Sequence, residues 1–322
     1  MLNKNAVRQN RGNDPDFQRD GVSHKKIDMQ FEISQPQAVM AKTKLTIPDL
    51  IKRKRDKERV VMVAIADFLM AGWAERAGVD VIGVGDSLSM VTYGHETTLP
   101  VTLEQMIEHT KAVRRGAPNT FILACLPYGT YSTSDQAVGN AQIMMKDCGA
   151  DAIKIQGGRD MFDTIQAMSK AGLPVMSHIG LAPHFVHKFG GFKMQGRTAE
   201  AAMKIIDDGR AVQEAGAYGF EIEAVPHEVG KAVDEAVDIF TFSIGAGAYG
   251  NCQLLNGADL VGAFDSFKPK FAKRYGNVSE VATNALKAYC EDVRSSKFPD
   301  AEHSYKMKEE ELQKLKAILK EV

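Results

Sequence analysis

Several short apolar runs in this chain stop on residues that can do chemistry: Asp67, Asp86, Cys125, Gln156, His178, Glu223 and the glycines of Gly245-Ala246-Gly247. Val84-Gly85-Asp86-Ser87-Leu88 brings an acid suited to a hard cation next to a hydroxyl able to donate to a carboxylate or phosphate. A helix-capping Asp-Ser pair would look the same. Glu223 follows Phe220-Glu221-Ile222, and a half-buried carboxylate there has its pKa raised toward the range of a general base. The rival reading is a structural ion pair. Lys154, flanked by Ile153 and Ile155, points inward if the isoleucines point outward, where an ammonium can hold a substrate carboxylate or stabilise an enolate. Schiff-base chemistry and a snorkelling side chain are its alternatives. His178 can hydrogen-bond a carbonyl, or be a satisfied core histidine. The basic, glycine-rich stretch from Gly190 to Arg197 reads as a lid or as a long connection.

Runs at 60–66, 79–85, 121–126, 152–155, 174–179, 218–222, 239–244 and 260–264 read as strands. Most are continuously apolar, as expected of parallel strands covered on both faces. Helical stretches lie between most of them. Thr102 with Gln105 and Thr133 with Gln136 have capping-box spacing at two helix starts, and Gly78, Gly149 and Gly216 stand where a helix hands over to a strand. About eight such units predict an α/β fold of the (β/α)8 TIM-barrel type, whose strand-end loops gather polar residues at one face. An open doubly wound sheet is the weaker alternative, because Asp67-Phe68-Leu69-Met70 occupies the turn where a GxGxxG would be needed.

Forty basic against forty-one acidic side chains leave a formal charge of -1, so no net field draws the chain to nucleic acid or an anionic membrane, and small-molecule chemistry is favoured. The four cysteines form no CxxC pair, which suits a reducing compartment without disulfides. No apolar stretch nears the roughly 20 residues that span a bilayer, and a cytoplasmic location is expected. Residues 1–42 read as a disordered or loosely attached arm, with Asp14, Asp16 and Asp20 weighing against a transit peptide. The barrel is expected over 43–305. An amphipathic helix is expected over 306–322, with Leu312, Leu315 and Leu319 packing on the barrel or on another subunit.

Together these features resemble ketopantoate hydroxymethyltransferase, a family of (β/α)8 barrels in the phosphoenolpyruvate mutase and isocitrate lyase superfamily. The resemblance runs from about Thr43 to Tyr305. It is carried by Val84-Gly85-Asp86-Ser87-Leu88, by the block from Gly94 to Thr102, by the block from Ala112 to Asn119, by Phe189 to Arg197 and by Ile244-Gly245-Ala246-Gly247. It implies transfer of the one-carbon unit of 5,10-methylenetetrahydrofolate to C3 of 3-methyl-2-oxobutanoate, giving ketopantoate for pantothenate and coenzyme A synthesis. It further implies Asp86 as a metal ligand, Ser87, Lys154 and His178 as substrate contacts, and Glu223 as the base. A divalent ion, usually Mg2+, and a homo-oligomer, a decamer in the family, come with it.

Three positions depart from the family pattern. Cys125 in Leu123-Ala124-Cys125-Leu126-Pro127 and Gln156 in Lys154-Ile155-Gln156 replace acids of the metal site, and Ala66 replaces a tyrosine. A thiol is a poor ligand for Mg2+, so Cys125 and Gln156 imply altered metal use and a softer ion. The rival functions are a diverged lyase or aldolase acting on another 2-oxo acid, and an inactive ligand-binding paralogue. Retention of Asp86, Ser87, Lys154, His178 and Glu223 argues against the inactive paralogue, and of the two enzymes the transferase is the favoured reading.

Overall fold

A run such as Phe121-Ile122-Leu123-Ala124 has no polar face, so it is stable as a strand only where both sides are covered. A computed structural model describes residues 43–320 and gives such runs that cover. Strands β1 (Val60–Ala64), β2 (Val81–Val84), β3 (Phe121–Cys125), β4 (Ala152–Lys154), β5 (Val175–Gly180), β6 (Gly219–Glu223), β7 (Phe240–Ile244) and β8 (Cys252–Asn256) pair in chain order. All are parallel, and β8 returns to β1 to close the (β/α)8 barrel.

Alternation along each strand sorts the side chains into two layers. Met62, Val81, Leu123, Met176, Phe240, Phe242 and Leu254 fill the barrel interior, and Leu50 of helix Ile47–Arg55 packs with them where the strands begin. Val63, Ile82, Ile122, Ile153 and Val175 face outward and pack on helices through Met106, Val113, Met144, Ile165 and Val212. The strand ends are thereby left as the place where polar residues meet.

The local signals act as their chemistry requires. Thr102 and Gln105 form a reciprocal capping box at helix Leu103–Gly116. Thr133 caps helix Ser134–Lys146, but the Gln136 side chain reaches the Ser132 amide instead of that of Thr133. Gly78, Gly149 and Gly216 all adopt positive φ.

One expectation needs correction. The eighth strand is Cys252–Asn256 and not 260–264, where Leu260 ends the short helix Gly257–Leu260. Cys252-Gln253-Leu254-Leu255-Asn256 is the more polar stretch. It is a strand because pairing with both β7 and β1 satisfies its backbone, which is a tertiary reason. The amphipathic helix is observed over Glu309–Lys320, yet none of its residues is buried, and Leu315, Ile318 and Leu319 stand exposed. The expectations for residues 1–42 and 321–322 lie outside the described residues. Among the described residues no helix is long and apolar enough to cross a membrane.

Candidate active site

Lys154 ends β4 with Ile153 and Ile155 turned into the helix layer, so its side chain enters the barrel. Its Nζ donates to Glu221 Oε2 at 2.6 Å, with both side chains almost fully buried. Burial pulls the Lys154 ammonium down, but Glu221, then Cys125 and Asp86, outweigh it and hold the group well above the ordinary lysine range. His178, which pairs in register with Glu221 across β5 and β6, bridges two carboxylates. Its Nδ1 lies 3.2 Å from Glu221 Oε2 and its Nε2 3.1 Å from Glu223 Oε2, distances without hydrogen-bond alignment. The result is a chain of groups, Lys154–Glu221–His178–Glu223.

Burial dominates the titration of its last two members. Desolvation pushes Glu223 up to about 8, against the pull of Lys154 and with the help of Asp86. Desolvation also lowers His178 to about 4, opposed chiefly by Glu221. At neutral pH the imidazole is therefore uncharged and Glu223 is poised to exchange a proton. Backbone geometry holds the pair together. Gly180 has φ +80, and a Cβ there would meet the Glu223 carbonyl at 2.5 Å, so only glycine lets β5 and β6 close up here. Ala224 follows Glu223 at φ 46, and is kept there by bonds from its N–H to Ile244 O and from Gln195 N–H to its carbonyl.

Asp86 follows β2 and is buried, and two neighbours face its Oδ2. The Gln156 amide donates at 2.9 Å, and His184 Nε2 stands 2.7 Å away. The amide orientation is determined, because Gln156 Oε1 accepts the His184 N–H at 2.9 Å and leaves Nε2 for the acid. Tyr131 hydroxyl bonds His184 Nδ1 from the other side. Burial raises Asp86, but His184 and then Lys154 and His178 overcome it and hold the carboxyl well below the usual range. Ser87 does not cap its helix by side chain, and its Oγ accepts from Asn256 Nδ2 at 3.2 Å. Asp67 caps helix Phe68–Arg76 through the Met70 N–H at 2.8 Å and does not line the cavity.

The expected metal set, Asp86 with Cys125 and Gln156, does not fit a divalent cation. Gln156 turns its N–H, not its oxygen, to Asp86. Cys125 is a buried thiol that donates to Leu126 O at 3.4 Å, and burial, reinforced by Asp86, pushes it far above the ordinary thiol range. Among the described residues no three His, Cys, Asp or Glu side chains are arranged to hold an ion. A carboxylate in place of the Gln156 amide nitrogen would repel Asp86 by roughly 5 kcal/mol at an effective dielectric of 20, and would call for a cation between them. The amide removes that requirement.

These groups open into a cavity of about 360 Å³ lined by Asp86, Ser87, Cys125, Lys154, His178, Glu221 and Glu223. Thr98 Oγ1, Glu221 Oε1, His184 Nε2 and both His178 ring nitrogens are buried without a hydrogen-bond partner, as expected of groups that await a polar ligand. Phe192 and Met194 of the 190–197 loop line the same cavity, together with Phe264, Phe267 and Phe271. The sequence reading missed Glu221, His184, Tyr131 and Asn256. Alternation from Glu223 back to Glu221 would have revealed the first. The other three carry no local signal.

Comparison with known proteins places the chain in a family. Residues 44–301 match the model of the ketopantoate hydroxymethyltransferase family. The chain is similar to 3-methyl-2-oxobutanoate hydroxymethyltransferase 1 of Methylibium petroleiphilum, at 50% identity over 81% of this chain and 89% of that protein. It is also similar to the 3-methyl-2-oxobutanoate hydroxymethyltransferase of Alkaliphilus metalliredigens, at 47% over 86% of this chain and 98% of that protein. In fold it resembles a crystal structure of phosphonopyruvate hydrolase with oxalate and Mg2+, with a TM-score of 0.53 at 13% identity over 80% of this chain and 93% of that one. A 2,3-dimethylmalate lyase of the phosphoenolpyruvate mutase and isocitrate lyase superfamily gives 0.53 at 14% over 86% and 96%. A family match across the whole barrel, joined to relatives that align over four-fifths of the chain, means that this protein belongs to the ketopantoate hydroxymethyltransferase family.

Proposed function

We propose that this chain joins 3-methyl-2-oxobutanoate to the one-carbon unit of 5,10-methylenetetrahydrofolate, with water, to give ketopantoate and tetrahydrofolate. The observation that carries this reading is the Glu223 carboxyl, raised to about 8, in one cavity with the Lys154 ammonium. Ser87 Oγ donates to the substrate carboxylate and Lys154 meets the 2-oxo oxygen. Glu223 takes the C3 proton, the C–H electron pair becomes the C2–C3 double bond, and the charge moves to the oxygen facing Lys154. His178, uncharged, lines the pocket between the two acids. Water releases the methylene unit as formaldehyde, its two C–N bonds breaking and the folate nitrogens keeping their electron pairs and taking the protons; C3 of the enolate then adds to the formaldehyde carbon, and the displaced C=O pair takes the proton back from Glu223. The aromatic groups of the cavity suit the flat ring system of a folate, and Lys270 suits its carboxylates. No step runs through the divalent ion that the resemblance implies, since Asp86, Cys125 and Gln156 do not offer it a hard donor set. A homo-oligomer working in the cytoplasm completes the reading.

The test is proton NMR of 3-methyl-2-oxobutanoate in deuterium oxide with the full chain, followed by product analysis after adding 5,10-methylenetetrahydrofolate. Loss of the C3 proton signal and formation of ketopantoate are expected. Exchange without ketopantoate would mean that the enolate is made for another acceptor, and no exchange would remove the reading.

A further inference from the structure

Gln156, His184 and Tyr131 crowd the Asp86 corner of the cavity, and this concerns the same reaction centre as the reading above. Gln156 is fully buried and pinned at both ends, by the His184 N–H on its oxygen and by Asp86 on its nitrogen. His184 Nε2 stands 2.7 Å from the same Asp86 oxygen, a close approach without hydrogen-bond alignment. The Tyr131 hydroxyl shares a hydrogen bond with His184 Nδ1 and holds the ring in place. Tyr128 packs edge-on against the same ring, with centroids 5.7 Å apart, and closes the remaining side. The Gln156 N–H and the edge of the His184 ring thus crowd one oxygen of Asp86, in the place where a cation would have to bind it.

We propose that this reaction centre holds no divalent cation, and that the Gln156 N–H, with the His184 ring packed close to the same oxygen and held by Tyr131, takes the cation's place against Asp86. The developing enolate charge is then met by Lys154, which approaches from the opposite carboxylate, Glu221. Asp86 serves as an anchor that orients His184 and Gln156 and is a positioning residue. The proposal rests on the enolisation reading only for that last consequence. Whether the ion binds is a property of the ligand-free protein.

The experiment has two readouts. The full-length protein, stripped with chelator, is titrated calorimetrically with Mg2+, Mn2+, Co2+ and Zn2+, alongside Asp86→Asn. No saturable binding that depends on Asp86 is expected up to about 1 mM ion, the weak end of specific affinities. Saturable binding of any of these ions by the parent, lost in Asp86→Asn, overturns the proposal. The triple variant Cys125→Asp, Gln156→Glu, His184→Ala is expected to gain Mn2+ binding, seen in the Mn2+ electron spin resonance signal. Should that variant fail to fold, the parent titration still decides. In the NMR exchange assay the parent rate is expected to stay within about twofold with chelator or added Mg2+, since 1.4 kcal/mol would correspond to tenfold. A tenfold fall with chelator, restored by Mg2+, overturns the proposal. Absence of exchange under every condition would instead overturn the function proposed above, while the titration still decides about the ion.

Discussion

Glu223 and His178 differ by two residue types and about four pH units, and both owe their position to loss of water. Glu223→Gln keeps the shape and removes the proton acceptor, so C3 exchange should fall by roughly 2 to 4 orders of magnitude. A rate within about tenfold of the parent, or 1.4 kcal/mol, would contradict the assignment. Because the free carboxyl ionises near 8, the exchange rate should climb about tenfold per pH unit on the acid side and level off above about 8. A plateau already reached at pH 6 would contradict it. The same shift has a stability consequence. Glu223 is raised in the folded state from 4.5, so its neutral form favours folding fully below pH 4.5, and that advantage is lost as pH rises through about 8. The melting temperature of Glu223→Gln relative to the parent should therefore grow from pH 5 to pH 9. His178 acts on the other side. Its lowered value makes stability present above 6.5 and lost as pH falls through about 4.

At the scale of elements, the site depends on how strands β4, β5 and β6 are tied together. Lys154→Met would strand Glu221, whose side chain is 2% exposed, without its ammonium, and should cost about 3 to 5 kcal/mol in denaturant unfolding. Adding Glu221→Gln should recover much of that loss, since the double change leaves no unpaired charge. Equal instability in the single and double variants would mean that the pair is not coupled. Arg114, in one of the blocks that carries the family resemblance, has a structural task instead. It donates to the carbonyls of Ala117, Pro118, Thr120 and Gly149 and pairs with Asp151, tying helix Leu103–Gly116 to the ends of the turns before β3 and β4. Arg114→Met should lower stability by about 2 to 3 kcal/mol, because several half-buried acceptors lose their donor, and should leave the pH profile of exchange unchanged.

For the whole molecule, the barrel buries its own core but leaves its last helices uncovered. No residue of Val278–Arg294 or Glu309–Lys320 is buried, and Val281, Leu286 and Tyr289 stand exposed along the first of them. The homo-oligomer proposed above would cover such a face with a second copy. Light scattering should then give a mass that is a multiple of 35.2 kDa. Val281→Glu with Leu286→Glu should reduce it while leaving the melting of the barrel in place. An unchanged mass would mean that these helices lie outside the subunit contact.

The sequence by itself determined the barrel and pointed to most of the polar groups that line its cavity. Continuous apolar runs dictate strands covered on both faces, and strand alternation turns Lys154, His178 and Glu223 inward at one end. Glycine and capping signals marked Thr102, Gly78, Gly149 and Gly216 correctly, because those rules act within a few residues. Only the tertiary structure decided what spans strands. Cys252–Asn256 is a strand because two neighbours need its backbone, whereas the more apolar 260–264 has no such partners. Gln156 and Asp86 stand far apart in the chain, and His184 comes from a turn after β5 that carries no motif. Whether Asp86 is ready for a cation or already satisfied depends on which end of an amide faces it, and that was decided by one backbone N–H of His184.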